Sequence, residues 1–476
     1  MKDITLTKSQ QSALGNLTAF VADENSKVFI LKGYAGTGKT TLMRIFIAEL
    51  EKKGVEFSLL ASTGRAAKIL ANATEVGTKT IHSEIYRFTN LSQDLEKMAK
   101  SREQNNLGPT GQLYLNFELT PRDSSANAGR HYYIVDESSM ISDVPVKDAT
   151  QALFGSGRLL HDLLGYDPCG KFIFVGDICQ LPPVTQPFSP ALDKEYFLSE
   201  YGITAYESTL TQIVRQNKDN DIVLSAQKMR SLFYDPQPWK WAKFPMKGYK
   251  NIHLLGSQYE LINKYISVAK SEGLNAATLV CFSNRQCSQT TQILRPAFGH
   301  LSSTLEKGDL LLVTQNNLIS GLMNGDLVVV KDIGGHERRA GMTFVNVAVR
   351  EQFSGRTYSQ LMIGDVLYGN LTNITQTQQK ELFVDFYYRM KDKGIKQGSD
   401  EFYRMMLKDP YLNALRAVFG YALTCHKSQG GEWDYVFLDI ARSVPALPKP
   451  YVYQWVYTAM TRAKKELFIV DDFWVM

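Results

Sequence analysis

Lys27-Val28-Phe29-Ile30-Leu31-Lys32-Gly33-Tyr34-Ala35-Gly36-Thr37-Gly38-Lys39-Thr40-Thr41-Leu42-Met43-Arg44-Ile45-Phe46 is the stretch whose reading decides the fold. Its opening residues, β-branched and aromatic and closed by Gly33, predict a short buried strand. Gly33 to Thr40 then fits G-x-x-x-x-G-K-[ST], and the apolar spacing from Thr41 to Leu50 predicts a helix. Glycines let such a loop curl until its N–H groups face phosphate oxygens, and the helix adds its positive end. Gly33, Ala35, Gly36, Thr37, Gly38 and Thr41 are therefore candidate phosphate-loop contacts, Lys39 the candidate partner of the β/γ-phosphates, and Thr40 a candidate Mg²⁺ ligand.

Two further strands extend this unit. His131-Tyr132-Tyr133-Ile134-Val135 runs into Asp136-Glu137-Ser138-Ser139. Asp136 is placed to hold Mg²⁺ and Glu137 to deprotonate an attacking water. Lys171-Phe172-Ile173-Phe174-Val175 leads into Gly176-Asp177-Ile178-Cys179-Gln180-Leu181-Pro182-Pro183, which puts Gln180 where it senses a γ-phosphate. Three buried strands, each delivering polar groups at its carboxyl end, describe an open parallel α/β sheet with a crevice site.

Composition sets the outer limits. The chain has 476 residues, 44% of them apolar and 21% charged, with 24 Tyr, 24 Phe and 5 Trp, which is the make-up of a folded multidomain protein. No apolar run approaches the roughly 18 residues of a membrane span, and Met1-Lys2-Asp3-Ile4-Thr5 does not begin a secretory signal. The five cysteines form no Cys-x-x-Cys pair, so a disulfide scaffold and a zinc site are disfavoured and a reducing, cytoplasmic setting is expected. A net charge of +5 is compatible with a nucleic-acid partner without requiring one.

Further motifs follow in order along the chain. They are Leu6-Thr7-Lys8-Ser9-Gln10-Gln11, Ala61-Ser62-Thr63-Gly64-Arg65-Ala66-Ala67, Thr80-Ile81-His82-Ser83 and Leu210-Thr211-Gln212-Ile213-Val214-Arg215-Gln216 in the first half. Leu423-Thr424-Cys425-His426-Lys427-Ser428-Gln429-Gly430-Gly431-Glu432 and Val456-Tyr457-Thr458-Ala459-Met460-Thr461-Arg462-Ala463-Lys464 stand near the end. With the phosphate loop and the two acidic strand ends, this series resembles the superfamily 1 DNA helicases, B subgroup, of the RecD-like and Dda-like kind with a UvrD-like C-terminal motor half. Ser62 departs from the proline that many relatives carry. The resemblance implies ATP and Mg²⁺ as cofactors, with Gln10 on the adenine, Glu432 at the nucleotide, and Arg215 and Arg462 as arginine fingers. A finger is worth roughly 10³–10⁵ in rate, and fingers reaching in from outside the phosphate-loop domain make hydrolysis and cleft closure one event.

The implied architecture is α/β with two RecA-like motor domains. The first covers 1–88 and 130–215, interrupted by a pin-type insertion at 89–129; the second covers 216–295 and 418–476. Residues 296–417 are expected to form an SH3-like barrel followed by a helical projection from Thr375 to Phe419, with Phe383, Phe386, Tyr387 and Met390 on one face. Within the pin, Gln112–Leu119 alternates in part like a hairpin strand, and Tyr114 or Phe117 either stacks on the first base pair or anchors the hairpin.

In relatives, the motifs that Ala61–Ala67 (motif Ia), Thr80–Ser83 (motif Ib) and Leu423–Glu432 (motif V) resemble face a single strand, which makes Thr63, Thr80, His82, Thr424, His426, Lys427 and Ser428 candidate DNA contacts. Each also has a plain reading, the hydroxyls as helix caps and His82 as a packing residue. Trp433 reads as core. The expected activity is 5′→3′ translocation on single-stranded DNA and unwinding at single-strand/duplex junctions by a monomer, leaving room for loading, replication or repair partners. The alternatives are a translocase that strips bound proteins and a nucleotide-gated DNA-binding switch.

Overall fold

The computed structural model describes residues 5–103, 112–122, 130–145, 152–214, 220–369 and 371–476. The phosphate-loop strand Val28–Gly33 lies inside a six-stranded sheet, paired with Lys171–Gly176 on one side and Tyr206–Leu210 on the other. Beyond Lys171–Gly176 come Tyr132–Asp136, Phe57–Ala61 and Thr78–Thr80, and every pairing is parallel. Alternation sends Val28 and Ile30 to one face with Phe172 and Phe174, and Phe29 and Leu31 to the other with Ile173 and Val175. All are fully buried, as a parallel sheet covered on both faces requires. Each fully buried side chain of this kind contributes about 1.5–3 kcal/mol.

A second parallel sheet runs Ile252–Leu255, Ala463–Val470, Trp433–Asp439, Ala277–Cys281, Leu423–Thr424. The α/β architecture with two motor sheets is therefore as the motifs imply. Trp433, 2% exposed, is core, as read from the sequence.

The insertion in the second half is an antiparallel sheet in the order Thr357–Ile363, Met342–Glu351, Leu327–Arg339, Leu310–Val313, Ala417–Phe419. A bridge between Met362 and Leu415 ties the first of these back to the chain entering the last, so the sheet curls on itself. The helical projection is two helices, Gln376–Asp392 and Asp400–Lys408. It ends earlier than the sequence reading: Ala417–Phe419 is a strand, because its apolar residues complete the sheet against Leu311–Val313.

The first insertion supplies Tyr86–Leu91 and Leu115–Leu119 as an antiparallel pair, extended in parallel by Ala152–Phe154. It does not stand alone. Leu95, Met98, Ala99 and Leu113 share one buried cluster with Phe383, Phe386, Tyr387, Met390, Phe402 and Met406 of the projection. The aromatic face predicted on that helix thus closes on the first insertion, in the other half of the chain.

Candidate active site

The order of the first sheet brings three strand ends to one edge: the phosphate loop after Gly33, Asp136-Glu137 after its strand, and Asp177 after Gly176. Local chemistry shapes each. Gly36 and Gly38 have φ of 78° and 77°, a region costly for any residue with a Cβ. A Cβ at Gly38 would also come within 2.5 Å of Gln10 Nε2. Thr37 Oγ1 donates to the Tyr34 carbonyl at 2.8 Å, and Lys39 Nζ donates to the Gly33 carbonyl at 2.7 Å. The helix Lys39–Lys52 starts from Gly38 with no side-chain cap, leaving its positive end to the cleft.

Gln10 lies under this loop. Its Oε1 accepts from the Thr7 amide at 2.9 Å in a capping box, and its Nε2 donates to the Thr37 carbonyl at 3.1 Å. The residue is 1% exposed, its amide oxygen tied to its own helix cap and its amide nitrogen to the loop.

Glu137 has φ 50° and ψ 40°, a left-handed turn that costs a non-glycine residue roughly 1–2 kcal/mol. Asp136 Oδ1 accepts from the Glu137 amide at 2.9 Å and steadies it. Burial pushes both carboxyls above their ordinary range. For Glu137 the neighbouring Asp136 adds to this, while Arg462 and Lys39 oppose it. Asp177 is pushed up by burial as well. Gln180, 4% exposed, leaves its Oε1 without a hydrogen-bond partner.

The second half of the chain completes the cleft. Arg462, 5% exposed, donates from Nε to the Thr458 carbonyl at 3.0 Å and from NH1 to the Gly431 carbonyl at 3.3 Å. Among the described residues it forms no ion pair, so its guanidinium is oriented by neutral acceptors. A cavity of about 520 Å³ is lined by Lys39, Thr40, Asp136, Glu137, Gln180, Glu432 and Arg462, within the size of a nucleotide site. Ala35, Gly36, Gly38 and Thr41 border it too, while Gly33 and Thr37 stand behind this lining. Arg215 lies outside the described residues; its neighbour Val214 donates to the Gly36 carbonyl at 2.8 Å.

Other residues reach this cavity that sequence reasoning did not single out. Arg65 is stacked 4.5 Å over the Trp433 ring, and burial brings its guanidinium down to about 10. Asp326, Glu351 and Phe353 arrive from the curled sheet. There Lys68 pairs with Asp326, and Met323 sits so close that a Cβ at Gly64 would meet it at 2.4 Å. Only the Gly64-Arg65 pair of motif Ia carried a local hint of this packing.

The proposed DNA track divides. Thr63, Thr80 and Thr424 are N-caps whose hydroxyls accept from Ala66, Ser83 and Lys427 amides. Ser428 is fully buried and donates to the Cys425 carbonyl at 2.8 Å. These four hydroxyls are engaged in local structure, because each motif places a polar residue where a strand turns into a helix. His82 packs edge-on to Phe154 with ring centroids at 5.0 Å, and burial lowers it to about 4, so it is neutral at pH 7 and offers no charge to a phosphate. Phe117 stacks on Phe154 at 4.8 Å and meets Phe88 edge-on, which is the anchoring role rather than a free ring. Tyr114 is half-buried beside the hairpin, its amide donating to Ser92 Oγ at 2.8 Å. His426 and Lys427 remain half-buried on the motif V turn.

Comparison with known proteins gives a separate family match for each half of the chain. Residues 5–231 match the AAA domain family, and 419–470 match the UvrD-like helicase C-terminal domain. The ATP-dependent RecD2 DNA helicase of Deinococcus radiodurans is 24% identical over 471 residues, 98% of this chain and 50% of that protein. An uncharacterised protein of Acanthamoeba polyphaga mimivirus is 22% identical over 529 residues, 97% of this chain and 99% of that one. The chain spans about half the length of the RecD2 relative and 37% of an uncharacterised Methanocaldococcus jannaschii protein that it also matches. Among solved structures, that of Pif1 helicases on forked duplex DNA aligns at 18% identity, with 98% of this chain, 92% of that chain and a TM-score of 0.49. With a match to the AAA domain family in front, a match to the UvrD-like helicase C-terminal domain behind and one cleft between them, the chain resembles the superfamily 1 helicases of the RecD-like kind.

Proposed function

We propose that the protein is an ATP-dependent DNA helicase that moves 5′→3′ along single-stranded DNA and splits duplex ahead of it. The observation that carries this reading is Arg462 of the second motor half lining the same cavity as Lys39, Asp136 and Glu137 of the first. A site assembled from two lobes ties turnover to their relative motion. The relative named an ATP-dependent DNA helicase supports the activity class, and the B-subgroup resemblance supports the direction.

In this reading the loop amides and Lys39 hold the β- and γ-phosphates, and Glu137 takes a proton from the attacking water that Gln180 orients. Arg462, with Arg215 as the companion implied by the Leu210–Gln216 motif, meets the charge spreading over the transferred phosphoryl group. Thr40 and Asp136 are the oxygen donors that would hold Mg²⁺. When bound, the ion neutralises charge between phosphate oxygens. His426 and Lys427 are the side chains left to meet the DNA backbone.

A tailed-duplex assay tests the reading. We expect displacement of a DNA duplex with a 5′ single-stranded tail, and none for a 3′ tail or for an RNA duplex. A requirement for the 3′ tail would reverse the direction, and efficient RNA unwinding would change the substrate class. The packing of Phe117 favours one variation, a translocase that displaces bound proteins and unwinds poorly. It would strip streptavidin from a biotinylated strand while leaving both duplexes intact.

A further inference from the structure

The helix Tyr451–Met460 ends just before Arg462, and one of its faces is stitched to the other half of the chain. Gln454 Nε2 donates to the Ile178 carbonyl at 3.0 Å and to the Gln180 carbonyl at 3.2 Å. Thr458 Oγ1 accepts from the Leu181 amide at 2.8 Å. Between them in the same helical stripe stands Tyr457. Its hydroxyl accepts from the Ala35 amide of the phosphate loop at 3.0 Å and donates to Asp177 Oδ2 at 2.8 Å. Tyr457 and Asp177 are each 2% exposed, and the other Asp177 oxygen accepts from the Cys179 amide at 2.9 Å.

We propose that Tyr457 is a positioning residue for ATP hydrolysis: its single hydroxyl, held between the phosphate loop and Asp177, sets where the second lobe, and with it Arg462, stands against the nucleotide. The inference deepens the hydrolase reading above and rests on it. The geometry supports it in three ways. The hydroxyl touches two of the three strand ends that build the site, while its helix belongs to the opposite lobe. The Thr458 carbonyl, one residue on, orients Arg462 Nε, so a shift of the helix is passed directly to the finger. The contact lies in a dry interior, where a hydrogen bond to a carboxylate is both strong and directional. The ring itself is core packing, which makes the hydroxyl separable from the fold.

Tyr457→Phe removes the hydroxyl and keeps the ring. Ala35 loses an acceptor that a phosphate oxygen replaces, so binding of methylanthraniloyl-ADP and the KM for ATP are expected to stay within about threefold of wild type. The kcat of single-strand-stimulated hydrolysis is expected to fall by at least about tenfold, since a bond to a charged acceptor is lost from the site's alignment. Asp177→Asn, and the double variant, separate positioning from general damage. If the effect runs through the Tyr457–Asp177 bond, the double variant is no slower than the slower single one; two effects that multiply would overturn that route. A Tyr457→Phe protein with wild-type kcat, in a preparation whose wild type hydrolyses ATP, overturns the inference and leaves the hydrolase reading standing. A wild type that does not hydrolyse ATP with single-stranded DNA removes both. Thermal melting of each variant accompanies the assay. Should Tyr457→Phe fail to fold, Asp177→Asn carries the test by the same split: kcat lowered at least about tenfold with ADP affinity unchanged supports the assignment, and unchanged kcat overturns it.

Discussion

Replacing Arg462 by Ala is expected to lower single-strand-stimulated ATP turnover by roughly 10³–10⁵ while nucleotide affinity changes little. The expectation follows from where its charge stands. Its nitrogens are oriented by the Thr458 and Gly431 carbonyls, and the guanidinium lines the cavity opposite Lys39 without a carboxylate partner among the described residues. Removing it takes away an interaction made mainly with the transition state, so the loss appears in kcat rather than KM. Arg462→Lys restores charge but not the planar fork that these carbonyls hold, and only a small part of the rate should return. Steady-state hydrolysis with and without single-stranded DNA, alongside methylanthraniloyl-ADP binding, measures both quantities.

Glu137→Gln is expected to bind ATP and lose about 10²–10⁴ in turnover, the usual contribution of a positioned general base. Its pH dependence gives a second readout. Burial and the neighbouring Asp136 hold the Glu137 carboxyl above its ordinary range. A base acts only when ionised, so kcat should rise with pH along an acid limb lying above the ordinary glutamate value of about 4.3. The limb belongs to the Asp136–Glu137 pair, and the Gln variant should flatten it. Turnover at the wild-type rate in that variant would assign the proton to another group.

The phosphate-loop half of the site was legible because its signals are local. An apolar strand, glycines at positive φ and a helix starting at Lys39 follow one another within the first sixty residues. The second motor sheet was legible through its ordered motifs. What remained hidden depends on distant partners. Ala35 and Tyr457 are 422 residues apart in sequence, and nothing near either announces the bond between them. Phe117 reads equally as a stacking ring and as a hairpin anchor until Phe88 and Phe154 are seen to pack against it. Thr63, Thr80 and Thr424 carry two compatible chemistries, a cap and a backbone contact, and the coordinates show the cap. The aromatic face of Gln376–Asp392 was visible as a face, but its partner, the first insertion, lies some 270 residues earlier at Leu113. Ala417–Phe419 was taken into the helical run because three residues are too few to show a period of two.

The most direct test of the two-lobed site is a crystal structure with ADP–aluminium fluoride and a short single strand. Arg462 is expected to leave the Gly431 carbonyl and point at the fluoride, facing Lys39 across it, with Glu137 on the attacking water. An Arg462 still bound to the Gly431 and Thr458 carbonyls, in a closed cleft whose fluoride is met by Lys39 alone, would contradict the account.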